Sequence, residues 1–419
     1  MTRQPTVLVR MADAGDVYMS WRWPDGTAAR GAAMLPGGPV LEAVRRLSAA
    51  LPQPARPGGL EHAMTNGAFA AYDTEYPIAQ ALSRALLPQG LAIQLYELWQ
   101  QGIRPHIRLQ PSPRVAQVPW ELLAPAPELR LIDIADVSLL APAGIVRAPG
   151  RTARSWAHTR CEPVVAVLDP RIPGFRADST LGSVLGRMPA DAPLTRRIAG
   201  YADRDRLRPA VAVPTEIFRR TDLDRSWLGE TLRAGASRLV YVGHVTAAPP
   251  ESGQSEAAQL HLSCTADTLG FAEPDRTHRP LSAKDFLLGT HTLAATPAHG
   301  PDLWPLPSRV ALIACESGGD LRFTEALGLT AAMINGGAEL VTASRWPLPT
   351  DLAFHRIAGA PSHAHPLQQA ICAIDAAHET EDPITALAEW QRAQLNRWRD
   401  AGTIEYSPLL WSAFATLLA

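Results

Sequence analysis

Four short apolar runs, "VVAVL", "RLVYV", "RVALIA" and "ELVTAS", recur along the second half of the chain with helix-like stretches between them. Each run is too short to be a core helix and is bounded by turn residues, so each reads as a buried strand. "DRSWLGETLRAGA" has helical spacing with Gly235 near its end, and "TEALGLTAAMINGG" closes on Gly336 and Gly337. Buried strands alternating with helices imply a parallel sheet with right-handed crossovers. The fold class expected is therefore α/β, a layered αβα domain around a mainly parallel sheet. No period of a solenoid repeat interrupts it.

Upstream, "TVLVRMA" and "DVYMSWRW" read as two strands, and "PVLEAVRRLSAALP" as a helix stopped by proline before the linker-like "PQPARPGG". "PIAQALSRALLPQGLAIQLYELWQQG" reads as one helix broken at Pro88 and Gly90, and "RPHIRLQ" followed by "VPWELL" as a strand entering a short helix. Periodicity fades between positions 141 and 162. The organisation expected is a small β/α unit over 1–58, an α/β region over 59–150, and the main domain over 151–419. Two helical stretches, "HPLQQAICAIDAAHE" and "ITALAEWQRAQLNRWRDAG", follow the last of the four strands. The spacing of Trp390 and Trp398 suits a core or a partner face.

Composition narrows the function classes. A formal charge of -2, with no basic run, provides no field for a phosphate backbone, so a nucleic-acid partner is not expected. The start of the chain lacks the apolar segment of a signal peptide, and no stretch of about 18 apolar residues follows; a cytoplasmic protein away from membranes is expected. Cys161, Cys264, Cys315 and Cys372 are widely separated, which fits neither a zinc site nor a disulfide scaffold. His363 and His365 in "PSHAHP" lack further ligands nearby, as does "HLSC" at 261–264, so no metal is assigned. No Walker lysine or dinucleotide glycine motif appears, and no cofactor is expected.

In an open parallel sheet, ligands bind beyond the carboxyl ends of the strands. His244 ends one strand and Cys315 another. Neighbouring strands would bring both side chains to one edge, where histidine takes the thiol proton and the thiolate attacks. Gly243 and the pair Gly318 and Gly319 would let a backbone approach. The alternative is that Cys315 fills core and His244 is hydrogen-bonded structure, since free cysteine is among the most buried residue types.

"VYVGH", "VALIACESG", "GLTAAMINGGAELVTASRWPLPTD" and "SPLLWSAFATL" resemble, in order, the landmarks of the CHAT family of caspase-like proteins. "VPWELL" resembles the family's upstream element, and "LSAKDFLLG" its helix between histidine and cysteine. The resemblance runs from about residue 105 to the end. It implies a caspase-hemoglobinase fold related to caspases and separase, peptide-bond hydrolysis by His244 and Cys315, and an activating sensor or adaptor in a bacterial defence system. Backbone N–H groups at Cys315 and near Gly243 would hold the oxyanion. Glu316, Trp346 and Asp351 would contact substrate. The chain departs from the pattern at Val245, where glycine often follows the histidine. It departs again at Thr350, where relatives carry an acid, here displaced to Asp351, and at Ile313, an aspartate in metacaspases. A non-catalytic scaffold is the rival expectation.

Overall fold

A computed structural model describes residues 4–54 and 56–419. The chain forms two compact units. The first comprises residues up to Leu140 with Trp346–Pro366 and Thr380–Thr416, and the second comprises Ala141–Arg345, Leu367–Glu379 and Leu417–Ala419.

The first unit opens on a hairpin of β1 (Thr6–Ala14) and β2 (Asp16–Arg22), paired from Leu8↔Arg22 to Ala14↔Asp16. Gly15 makes the turn at φ 81°, a left-handed conformation that suits glycine. β3 (Gly31–Leu35) pairs antiparallel with β2, while β4 (His106–Gln110) and β5 (Asp136–Leu140) extend the sheet in parallel from β1. Val7, Val9, Met11, Val17, Met19 and Trp21 alternate inward, the period-2 pattern of a sheet with one buried face. The broken helix is two helices, Tyr72–Leu86 and Gln89–Gln100, because Pro88 has no N–H to continue the first. The strand expected in "RPHIRLQ" is β4, and the short helix expected in "VPWELL" is a 3-10 helix at Trp120–Leu122. Trp398, on the helix Pro383–Ala401, is fully buried, and its indole N–H lies 3.4 Å from Glu75, which pairs with Arg130 at 2.9 Å.

The second unit contains β6 (Val164–Leu168), β7 (Leu207–Arg208), β8 (Arg238–Val242), β9 (Val245–Thr246), β10 (Gln259–Leu260), β11 (Leu281–Ser282), β12 (Arg309–Ile313) and β13 (Leu340–Ser344). Five of these form a parallel run in the order β13-β12-β8-β6-β7. Every residue of β6, β8, β12 and β13 is buried, as a parallel sheet covered on both faces requires. Helices Pro193–Ala202, Arg225–Arg233 and Leu329–Asn335 lie in the crossovers between them. The last of these starts later than the apolar spacing suggests because Gly328 occupies its N-cap.

Buried charge anchors the amino ends of the strands. Arg238, the first residue of β8, is fully buried against Asp375 at 2.9 Å and the Tyr201 hydroxyl at 2.8 Å. Burial alone would raise the Asp375 carboxyl, but Arg238 and Arg197 hold it below the usual carboxylate range. Arg309, which begins β12, donates to the His378 carbonyl at 2.7 Å. The carboxyl ends are thereby left for other work.

Between His244 and Arg309, "QLHLS" reads as an edge strand and "LSAKDFLLG" as a short helix; the first holds a strand, central in its sheet and not at an edge, and the second a helix. β9, β10 and β11 form a small antiparallel sheet, and the helix Ala283–Leu288 follows with a capping box between Ser282 and Asp285. Leu260, Leu262, Leu281 and Phe286 are buried within this segment.

Candidate active site at the carboxyl ends of the parallel strands

The register of β8 and β12 decides where His244 and Cys315 fall. Their paired residues run from Arg238↔Arg309 to Val242↔Ile313, a constant offset of 71 positions (313 − 242). His244 and Cys315 carry the same offset (315 − 244), two residues past the last pair. Adjacent strands are about 4.8 Å apart, so the two residues leave neighbouring strands at one edge of the sheet. Both are half-buried. None of the four cysteines is in a disulfide.

The histidine is held from two sides. Its Nε2 lies 2.9 Å from the carbonyl oxygen of Gly182. A carbonyl only accepts, so Nε2 carries the hydrogen and Nδ1 is the basic nitrogen of the neutral ring. Burial pushes the imidazole below its ordinary pKa and Arg219 adds to the effect, while the Gly182 hydrogen bond and Asp169 oppose it. A neutral imidazole with one free lone pair is the form that a general base requires. On the main-chain side, the Tyr241 hydroxyl lies 2.7 Å from the His244 carbonyl and 2.9 Å from that of His261. A Cβ on Gly243 would stand 2.7 Å from that hydroxyl oxygen, so glycine here makes room for Tyr241. The Gly243 amide is aimed at the Ile313 carbonyl at 3.4 Å.

The cysteine turn is fixed by serines. Glu316 has φ 50°, a left-handed conformation uncommon outside glycine, and turns the chain sharply after Cys315. Ser317 is buried; its hydroxyl donates to the Leu312 carbonyl at 2.6 Å and accepts from the Ser344 amide at 3.0 Å. The Ser344 hydroxyl in turn donates to the Ala314 carbonyl, and the Gly318 amide donates to the Ser344 carbonyl at 2.9 Å. The turn that carries Cys315 is therefore latched to the end of β13. Burial raises the Glu316 carboxyl against Arg322, 3.5 Å away.

The other expected contacts lie in the first unit. Trp346 is fully buried, with its indole N–H donating to the Leu409 carbonyl at 3.0 Å. Asp351 occupies the first turn of the helix Asp351–Arg356, which Thr350 caps by accepting from the Ala353 amide at 3.2 Å, and lies 4.0 Å from His365. Among the described residues no group of three or more His, Cys, Asp or Glu is arranged to hold a metal, and no helix is long and apolar enough to cross a membrane.

Gly182 lies in no quoted motif, and Tyr241, Ser317 and Ser344, although inside the quoted stretches, have roles made by contacts that only the folded chain creates. Asp169 had a signal, a carboxylate at the end of the buried run "VVAVL", the place where parallel strands present ligand-facing residues.

A search of the curated proteins finds no match. Two crystal structures of the Saccharomyces cerevisiae separase-securin complex align with 99% and 98% of this chain at 10% identity, with TM-scores of 0.44 and 0.43. This chain spans 30% of the length of the separase chains. The model of the CHAT domain matches residues 76–418, well over half of the sequence, and the chain belongs to the CHAT family.

Proposed function

We propose that the protein is a caspase-like cysteine endopeptidase in which His244 takes the proton of Cys315 and the thiolate attacks a peptide carbonyl. The observation that carries this reading is the shared register of β8 and β12, which delivers both residues to one edge of the sheet. The covalent route divides hydrolysis into two easier steps, acylation of the thiol and release by water, with the imidazolium protonating the leaving amine. Family membership adds the expectation of a protein target and of an activating sensor or adaptor in a bacterial defence system. No cofactor enters the proposed steps.

The test is proteolysis of a peptide library by the purified chain, with products read by mass spectrometry. Wild type produces cuts that are absent from Cys315→Ala and from His244→Ala, each variant keeping the wild-type circular dichroism spectrum. Cleavage by Cys315→Ala at the wild-type rate overturns the reading. One observation favours a second reading, a non-catalytic scaffold. The Gly243 amide, expected to help hold an oxyanion, is aimed at Ile313 instead. A chain that makes no cuts, and whose Cys315 ignores peptidyl electrophiles, fits that alternative.

A further inference from the structure

We propose that Asp169 and Arg219 are positioning residues for His244, holding the Gly182 carbonyl that fixes which imidazole nitrogen carries the proton. The sheet brings them there. Leu168 pairs with Val242, which pairs with Ile313, and Phe218 forms a parallel bridge to Leu168. One residue beyond this row come Arg219 and Asp169; two residues beyond come His244 and Cys315. Four adjacent segments thus supply four polar side chains to one edge. Asp169 and Arg219 have φ of 51° and 56°, and with Glu316 they make three left-handed non-glycine residues around this edge. Such backbone strain collects where the surroundings dictate a geometry.

Their contacts converge on the Gly182 carbonyl. Asp169 is buried and accepts hydrogen bonds from the Ser183 hydroxyl at 2.5 Å and from the amides of Val184 and Leu185 at 3.1 and 3.3 Å. These bonds pin the loop just after Gly182. Arg219 reaches both sides: its Nη1 lies 3.3 Å from Asp169 and 3.1 Å from the Gly182 oxygen, the same oxygen that accepts from His244. The carbonyl therefore has two donors, the Arg219 guanidinium and the His244 ring. The charged and titratable groups around His244 are Asp169 beyond β6, Arg219 beyond Phe218, Tyr241 on β8, His261 after β10 and Cys315 beyond β12.

This inference rests on the proposed dyad only for its catalytic meaning; the readout below is independent of proteolysis. Full-length protein carrying ¹⁵N-histidine is titrated by NMR, with the His244 signal assigned by its loss in His244→Gln. Wild type shows the hydrogen on Nε2. Arg219→Met removes a repelling cation and moves the His244 midpoint up by about half a unit or more; Asp169→Asn removes an attracting anion and moves it down by a similar amount. Arg219→Lys, which keeps the charge, stays near wild type. Unmoved midpoints, or midpoints moving together in one direction as general loosening would produce, overturn the inference. If Asp169→Asn fails to fold, the two Arg219 variants decide it. Opposite shifts together with no cleavage in any variant leave the positioning pair standing and remove the endopeptidase reading.

Discussion

Gly243→Ala is the smallest change that strikes the support of His244. The added Cβ would lie 2.7 Å from the Tyr241 hydroxyl oxygen, 2.9 Å from its Cζ and 3.3 Å from Pro170. The first two distances lie inside van der Waals contact, and Tyr241 is buried on β8 with no open space to move into. Overpacking of this kind costs about 1–3 kcal/mol. A shifted ring also loses its hydrogen bonds to the His244 and His261 carbonyls, worth about 1 kcal/mol each. The expected destabilisation is about 3–5 kcal/mol, read as a lower urea midpoint at unchanged slope. Tyr241→Phe removes the oxygen that meets the new methyl group, so the double variant is expected to be less destabilised than the sum of the singles by about 1 kcal/mol. Strict additivity, or a stability loss under about 0.5 kcal/mol for Gly243→Ala, refutes the packing argument.

Acid should destabilise the chain before its carboxylates are fully protonated. Burial and its neighbour Arg108 push His106 down to about 4; burial, with His278 and His244, takes His261 to about 3; burial, with Arg238 and Arg309, takes His378 to about 3. A depressed histidine pKa means that the unfolded chain binds more protons below pH 6.5. Stability is therefore full above that value and is lost as pH falls toward the folded values, by about 2 kcal/mol per histidine at pH 5. Urea midpoints that stay flat between pH 7 and 5 would contradict this. Glu316→Gly should relieve the left-handed strain after Cys315 and stabilise the chain by up to about 1 kcal/mol, because burial works against the charged form of Glu316 and its half-buried ion pair with Arg322 is long, at 3.5 Å. A loss of more than 1 kcal/mol in thermal or urea unfolding would show that the carboxylate matters more than the backbone.

Periodicity carried most of the fold. The buried runs of β6, β8, β12 and β13 are legible because a parallel sheet covered on both faces needs uninterrupted apolar strands, and helices between such strands leave few topologies. β3 is not legible: "GAAML" contains glycine and alanine, which are poor strand formers, and it is a strand because β2 offers it an edge. In the small sheet of β9, β10 and β11 the strand within "QLHLS" is legible, while β9 and β11, at two residues each, give no alternation to detect. At the site, His244 and Cys315 could be read from their places at strand ends. Nothing local marks Tyr241, within "VYVGH", as the donor to two carbonyls, or Gly182 as the acceptor of the imidazole hydrogen. Those roles depend on contacts 20 and 62 positions apart in sequence, from Tyr241 to His261 and from His244 to Gly182, which no short window over the chain contains.

The proposed dyad requires that His244 and Cys315 work on the same proton. The direct measurement is the rate of alkylation of Cys315 by iodoacetamide across pH 5 to 9, followed by mass spectrometry of the tryptic peptide, in wild type and in His244→Ala. Wild-type Cys315 is expected to react near neutral pH, and His244→Ala to slow the reaction at pH 7 by about tenfold or more, moving its midpoint toward that of an ordinary thiol, about 8.5. Superimposable profiles for the two proteins would contradict it.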